Sequence, residues 1–446
     1  MIIRTISYLS PSRVIIFSAL ATITIGTILL LLPFSRTVPI NFIDALFTAI
    51  SAMTNTGLTT VSLNNFTPFG MGAITILMQI GSLGIIILTL FIAHTFFDPN
   101  RTTKKVAAEL LGIKRKRDTR KMLVFVVLLA LIVEFVGALL ILPKIHETLS
   151  LGKAFFSSIF HSISAFTNTG FSLNANSIAP YSNSPTVLLT LSMLMLFGAI
   201  GFTTLREAIL YFTSFTQKVR YNLSQSSRII WVTTFLLVTS TFMICLMLEY
   251  NHAFAEMDGI TSAINALFYV ISSMGTGLQT VATNVTRTPT LLMIMVVAYI
   301  GGSPGSTGSG IKTTTAAILF AALRSVIRGK DNVVLRGRKI DTAQVNKATA
   351  MIALSLPFIL LIAFFLLITD ANFTLLDTLF ETVSAFANMG ISTGITAELT
   401  VLGKLLICIT MLTGRIGMFT LIFAIRRTKN IHGKPIARID DNMPIL

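Results

Sequence analysis

Long apolar stretches alternate with short ones along this chain. Ile15 to Leu32 carries no charge and Met122 to Leu142 carries only Glu134. Each approaches or reaches the ~20 residues a helix needs to cross ~30 Å of hydrocarbon. Eight such spans are predicted, at residues 13–34, 67–97, 121–143, 186–214, 228–250, 289–325, 348–369 and 400–427. Between the members of each successive pair lies an apolar helical stretch of about 10 residues, too short to span. The first long stretch follows Arg4 and Arg13, as in a secretory leader. It is long, and no small-residue cleavage site precedes Pro33, so it is expected to be a retained span.

The four short stretches share a pattern. Asp44 opens DALFTAISAMTNTGL, Ser157 opens SSIFHSISAFTNTGF, Asn265 opens NALFYVISSMGTGL and Asp377 opens DTLFETVSAFANMGI. Each runs into a small polar segment ending in Gly57, Gly170, Gly277 or Gly390, spaced by 113, 107 and 113 residues. A matched pattern at near-constant period is an internal repeat. The predicted fold is therefore an all-α membrane protein of four pseudo-symmetric helix–pore loop–helix repeats, with eight transmembrane helices and four re-entrant pore helices around a central pore. Repeat 1 is placed at 1–110, repeat 2 at 111–222, repeat 3 at 223–340 and repeat 4 at 341–427, with a tail over 428–446. Backbone that is not helical at membrane depth survives only inside protein or along a wet cavity, and four hairpins can share one axis.

Composition agrees with a lipid solvent: 53% of residues are hydrophobic and 12% charged, with a mean hydropathy of +0.80. A soluble domain carries about 25% charged residues. The formal charge of +16 would suggest nucleic acid until its placement is examined. Nine Lys/Arg lie between Asp98 and Lys121, eight between Lys312 and Lys347, and five between Arg426 and Arg438; Lys218, Arg220 and Arg228 form another segment. The opposite connections carry only Arg36, Lys144, Lys153, Arg287 and Lys404. This is the positive-inside bias, which puts both termini in the cytoplasm and anionic lipid, not nucleic acid, against the basic segments. Cys245 and Cys408 both lie in apolar runs and indicate neither a disulfide framework nor a metal site.

The polar segments have the chemistry of a monovalent-cation site. Thr54, Asn55, Thr56 and Gly57 form the first, and Thr167, Asn168, Thr169 and Gly170 nearly duplicate it. The third has Gly275, Thr276 and Gly277, and the fourth Asn388, Met389 and Gly390. Backbone carbonyls can replace a cation's hydration shell, and glycine permits the dihedrals that aim them inward. No carboxylate occurs in these segments, as a divalent or nonselective ring would require. The third is shorter by one, with 12 residues from Asn265 to Gly277 against 13 from Asp44 to Gly57, which leaves two registers for Met274 and Gly275.

On these loops the chain resembles, over nearly its whole length, the Trk/Ktr/HKT superfamily of potassium transporters, most closely the bacterial KtrB-type membrane subunits. The resemblance implies a fourfold pseudo-symmetric pore with one filter glycine per repeat, falling on Gly57, Gly170, Gly277 and Gly390. Sodium-preferring plant members carry Ser at the first such position, so Gly57 favours potassium. The resemblance also implies a homodimer over a soluble, nucleotide-binding cytoplasmic ring (KtrA-like). Potassium is then the transported ion at the filter and sodium a candidate activator. The chain carries no ATPase motif and is not expected to be an enzyme.

Gly301, Gly302, Ser303, Pro304, Gly305, Ser306, Thr307, Gly308, Ser309, Gly310, Ile311 and Lys312 interrupt the sixth span. Glycine and proline should break a helix there and leave a loop with little intrinsic order. Gly305 and Gly310 have phosphate-loop spacing, but Ile311 separates Gly310 from Lys312 and no strand precedes the run. A packing kink is one reading; in the resemblance, the run is an intramembrane loop that gates the pore. Arg415 sits mid-span, where a charge normally faces a cavity or a partner. A structural ion pair would satisfy it; the resemblance instead implies an arginine that limits cation flux from beneath the filter. Glu134 is a second buried charge, either a packing partner or a residue near the pathway, and His161 reads as polar packing. A secondary transporter of another cation or a small solute is the competing function, but such proteins usually show inverted repeats.

Overall fold

The computed structural model describes residues 11–84, 119–217 and 221–425. The basic segment at 98–121 falls almost wholly outside these, as do Lys218, Arg220, the tail from Arg426 and the second half of the span predicted at 67–97. The first unit holds α1 (Pro11–Leu31), α2 (Phe42–Thr54) and α3 (Pro68–Leu83). The second holds α4 (Thr119–His146), α5 (Leu151–Phe166), α6 (Pro185–Ile200) and α7 (Phe202–Gln217). The third holds α8 (Gln225–Glu249), α9 (Gly259–Ser273), α10 (Thr288–Ile300) and α11 (Thr313–Ile327). A small hairpin, β1 (Val334–Leu335) and β2 (Arg338–Lys339), leads to the fourth: α12 (Thr342–Thr369), α13 (Leu375–Ala387), α14 (Val401–Ile416) and α15 (Met418–Ile425).

Local chemistry sets the ends of these helices. Thr67 and Thr400 accept from the N–H of Gly70 and Gly403 at 3.3 and 3.2 Å, so α3 and α14 begin on capped turns. Pro68 and Pro185 stand in the first turn, where a missing N–H costs nothing. The short helices α2 and α13 stop at Asn55 and Asn388, both left-handed at φ +56° and +51°. Asparagine is the residue other than glycine that tolerates this stop.

Among the described residues, Lys121–His146, Gln225–Glu249 and Thr342–Thr369 are single helices long and apolar enough to cross a membrane. These are the first spans of the second, third and fourth units. They expose Leu131, Phe135, Phe235, Met247, Leu360 and Phe364, which suits a lipid-facing outer layer. The second spans depart from expectation. The predicted continuous helices at 186–214 and 400–427 are each broken, α6 and α7 turning by 107° at Gly201 and α14 ending at Gly417. Gly201 and Gly417 have φ of +93° and +85°, outside any helix, and α3 likewise ends at Gly84 with φ +76°. The apolar pattern runs straight through these glycines, so hydropathy does not reveal the break.

The units close into a ring. Each broken second span packs on the short helix of the next unit: α3 on α5, α6 on α9, α10 on α13, and α14 back on α2. The short helices form the buried centre, with Phe47, Phe160, Phe268 and Phe380 almost fully enclosed. An ion pair seals the junction between last and first units, Lys404 Nζ lying 2.8 Å from Asp44 Oδ1.

Candidate functional site

The ends of α2, α5, α9 and α13 deliver their polar segments to one place. Thr56, Thr169 and Met389 donate their backbone N–H to the carbonyls of Ser51, Ser164 and Ser384 at 2.8 to 2.9 Å, and Thr276 donates to that of Ser272 at 2.8 Å. Gly57, Gly170, Gly277 and Gly390 follow with φ of +87°, +82°, +83° and +85°. This resolves the third register: Thr276 and Gly277 align with Thr56 and Gly57, and the missing residue lies between Ser272 and Thr276. A Cβ added at Gly57 would collide with the Thr169 carbonyl, at Gly170 with that of Thr276, at Gly277 with that of Met389, and at Gly390 with that of Thr56. Each glycine therefore abuts the next repeat's carbonyl, and the four contacts close a circle. Helix C-termini carry about −0.5 of an elementary charge, so four directed at this circle favour a cation.

Behind the circle lies a girdle of side chains. Asn55 Nδ2 donates to Thr169 Oγ1 at 2.7 Å, linking repeats 1 and 2. Thr276 Oγ1 donates to Asn168 Oδ1 at 2.5 Å, linking 3 to 2, and Asn388 Nδ2 donates to Thr56 Oγ1 at 2.6 Å, linking 4 to 1. The same asparagines donate to the inner helices, at the carbonyls of Met78, Met195 and Met411. Those helices approach closely because Gly81, Gly198 and Gly414 stand there, each without room for a Cβ against a carbonyl of the short helix.

The glycine-rich segment is ordered, contrary to the sequence expectation of a loose run. Ser303 N–H donates to Ala199 O at 2.8 Å, Thr307 N–H to Gly198 O at 3.0 Å, and Phe202 N–H to Gly305 O at 3.1 Å. Within the segment, Gly302 N–H donates to Ser309 O and Thr313 N–H to Gly302 O, both at 3.1 Å. Lys312 Nζ donates to Gly308 O at 2.5 Å. The glycines permit strand-like crossings, with Gly302 and Gly308 back to back, and the hydrogen bonds then fix the loop on the break of α6.

Arg415 donates through Nη1 to the carbonyl of Thr307 and through Nη2 to that of Gly81. Thr307 Oγ1 in turn accepts from Asn168 Nδ2 at 2.7 Å. The path Asn168–Thr307–Arg415–Gly81 visits repeats 2, 3, 4 and 1. Thr307 of repeat 3 and Gly81 of repeat 1, opposed members of the ring, meet on one guanidinium, so this path crosses the interior of the ring. Arg415 is satisfied by carbonyls, and no described acid pairs with it.

The family profile for TrkH, cation transport protein, matches residues 8–431. The chain belongs to this family. Ktr system potassium uptake protein B of Bacillus subtilis is 31% identical over 425 residues, covering 94% of either chain. The protein of the same name from Vibrio alginolyticus is 33% identical over 421 residues, 93% of this chain and 91% of that one. Potassium/sodium uptake protein NtpJ of Enterococcus hirae is 29% identical over 428 residues, 94% of this chain and 93% of that one. The crystal structure of the potassium transporter TrkH from Vibrio parahaemolyticus shares the fold, with a TM-score of 0.73 at 20% identity over 93% of this chain and 84% of that one.

Within this TrkH-family chain, the structure brings together the residues picked out in the four segments, and adds others. Ser51, Ser164, Ser272 and Ser384 recur in every motif, and Gly81, Gly198 and Gly414 each precede a helix-breaking glycine by three residues. Both signals are visible in the sequence once the four copies are aligned. Glu134 and His161 have packing partners: Glu134 Oε2 accepts from Gln79 at 3.1 Å, and His161 meets Ser157 and Ser172 at 2.8 and 3.0 Å.

Proposed function

We propose that this chain takes up potassium across the bacterial plasma membrane through a pore at the centre of the ring. The observation that carries this reading is the closed circle of four glycines, each set against the next repeat's carbonyl. Thr54 to Gly57, Thr167 to Gly170, Gly275 to Gly277 and Asn388 to Gly390 form the selectivity filter, whose carbonyls replace water around a weakly hydrated monovalent ion. Gly57 keeps the first strand as open as the other three, which suits potassium over sodium.

The loop 301–312 and Arg415 form the gate. Their path through all four repeats lies where an ion leaving the filter must pass, and a guanidinium there repels cations. Opening requires the loop to leave its seat on α6. A cytoplasmic nucleotide-binding ring acting on a homodimer of this chain would supply that pull, and the relatives' naming as parts of Ktr systems supports a partner. The distribution of Lys and Arg supports cytoplasmic termini, a multi-pass topology and contact with anionic lipid. The relative named for potassium and sodium uptake supports sodium as an activator.

The test is rubidium uptake in a bacterial strain lacking its own potassium systems, followed by cation competition in liposomes with and without the cytosolic partner. Saturable uptake competed by potassium more than by sodium is expected. Uptake indifferent to both cations would sink the proposal.

A further inference from the structure

Asn168 differs from its two counterparts in what its amide does. Asn55 and Asn388 each donate both N–H bonds, one to a methionine carbonyl of the inner helix and one to the threonine of the next filter strand. Their Oδ1 atoms are buried without a partner. Asn168 donates to Met195 O at 3.3 Å and spends its other N–H on Thr307 Oγ1 of the loop, at 2.7 Å. Its Oδ1 is therefore the atom that meets the next strand, accepting from Thr276 Oγ1 at 2.5 Å. The loop thus reverses the polarity of one girdle bond.

Thr276 is also the least supported of the filter threonines. Thr56 and Thr169 each have a second hydroxyl partner, Thr54 and Thr167, both at 2.7 Å. The third segment has Met274 ahead of Gly275 and offers none. Nor does the third repeat have an asparagine to brace the fourth, since Gly275 stands there and Met389 takes the place of the threonine in the fourth segment. The third strand's side-chain support is the bond to Asn168.

We infer that Asn168 is a specificity-determining positioning residue that couples the filter to the loop, an inference that rests on the filter and gate assignments above. With the loop seated, Thr307 occupies the second N–H and Thr276 donates to Oδ1. With the loop withdrawn, that N–H is free, and Thr276 Oγ1 becomes its acceptor, the arrangement already present at Asn55 and Asn388. Two discrete arrangements of one amide, each favoured by one loop position, make loop position and ion binding reciprocally linked.

The experiment is potassium and sodium binding to the purified full-length chain, without its partner, by calorimetry. Thr307→Val removes the acceptor but keeps the backbone carbonyl that Arg415 uses. It should weaken potassium relative to sodium by about fivefold, a coupling of ordinary size. Thr307→Ser should restore the wild-type ratio. In a Thr276→Val background the further change Thr307→Val should add nothing, because both act on one switch. A wild-type ratio in Thr307→Val, or effects of the two that simply add, would overturn the coupling. Should Thr307→Val fold poorly, Thr307→Ala removes the same acceptor with less bulk, and the same outcomes apply. Gly390→Ser is the control: if it too binds potassium as the wild type does, the filter assignment itself has failed and the coupling falls with it.

Discussion

Gly275 and Met389 are the two halves of a hydrogen bond that the ring lacks. At the other three junctions an asparagine from one repeat meets a threonine from the next. At the junction of repeats 3 and 4 both are replaced, neither leaving an orphaned partner behind. The space explains the asymmetry. A Cβ on Gly275 would look toward the Asn388 carbonyl of repeat 4 at 3.9 Å and Gly308 of the loop at 4.0 Å, so a side chain there would enter the space between the fourth repeat and the loop. The strands there meet where Gly277 is set against the Met389 carbonyl, with no asparagine–threonine bond behind them among the described residues.

Gly57→Ser tests the circle directly. The new Cβ would strike the Thr169 carbonyl while holding φ at +87°, a region that L side chains rarely adopt. Relief requires the first strand to turn its carbonyls, so preference for potassium over sodium should fall by about tenfold, the effect of a ~1.4 kcal/mol change. Cation competition of rubidium uptake measures this, with membrane insertion unchanged. Wild-type selectivity would remove this segment from the filter.

The contact glycines of the inner helices predict a stability contrast. Gly198→Ala would drive a methyl into the Phe166 carbonyl and against Asn168 Nδ2, whereas Gly72 has nothing within 4 Å of an added Cβ. Overpacking costs about 1–3 kcal/mol, while Ala for a helical Gly with room for the methyl stabilises by roughly 0.5–1 kcal/mol. Thermal unfolding in detergent should therefore show a fall for Gly198→Ala and no fall for Gly72→Ala. Equal midpoints would mean that α6 does not need the close approach.

Much of this architecture was legible in the sequence. The repeat, the glycines that form the circle, the break in the sixth span and the charge of Arg415 all stand out because each violates the surrounding apolar pattern. The breaks at Gly201 and Gly417 do not, since apolar residues continue on both sides and only the backbone turns. The girdle was hidden for another reason. Asn55 and Thr169 lie 114 residues apart, and Asn388 and Thr56 lie 332 apart. A period shows that copies exist but not which side chain of one reaches which of the next. The order of the loop does not follow from its composition, because counting glycines measures freedom in the unfolded chain, while the crossing of Gly302 with Gly308 is possible only without side chains.

The seal between the last and first repeats is the Lys404–Asp44 pair, with side chains 12% and 10% exposed. Removing one partner leaves the other charge buried and uncompensated, which typically costs about 3–5 kcal/mol. Lys404→Met should therefore lower the unfolding midpoint, and Lys404→Met with Asp44→Asn should recover most of the loss. A single variant as stable as wild type would show that the ring closes without the pair.

Arg415 joins the loop to the first repeat, so its loss should act on flux before stability. Arg415→Ala removes both the charge and the bonds to Thr307 and Gly81, and basal rubidium flux without the partner should rise several-fold. Arg415→Lys keeps the charge but cannot donate in two directions at once, so its rise should be smaller. A folded Arg415→Ala with lost flux would assign the residue to structure instead.

Deleting Ser303 to Ser309 is the most demanding test of the gate. The deletion removes the Ser303 and Thr307 bonds to the break of α6, the carbonyl that Arg415 grips and the oxygen that Lys312 grips. Gly301 and Gly310 remain, and both have positive φ, so a short turn can still join α10 to α11. The short helices do not depend on these atoms, so insertion should survive, while the loss of Thr307 should weaken potassium relative to sodium as Thr307→Val does. Basal flux should rise and become independent of the cytosolic partner, as measured in liposomes with and without it. An inserted deletion variant whose flux still required the partner would reduce the segment to a packing kink and move the gate elsewhere.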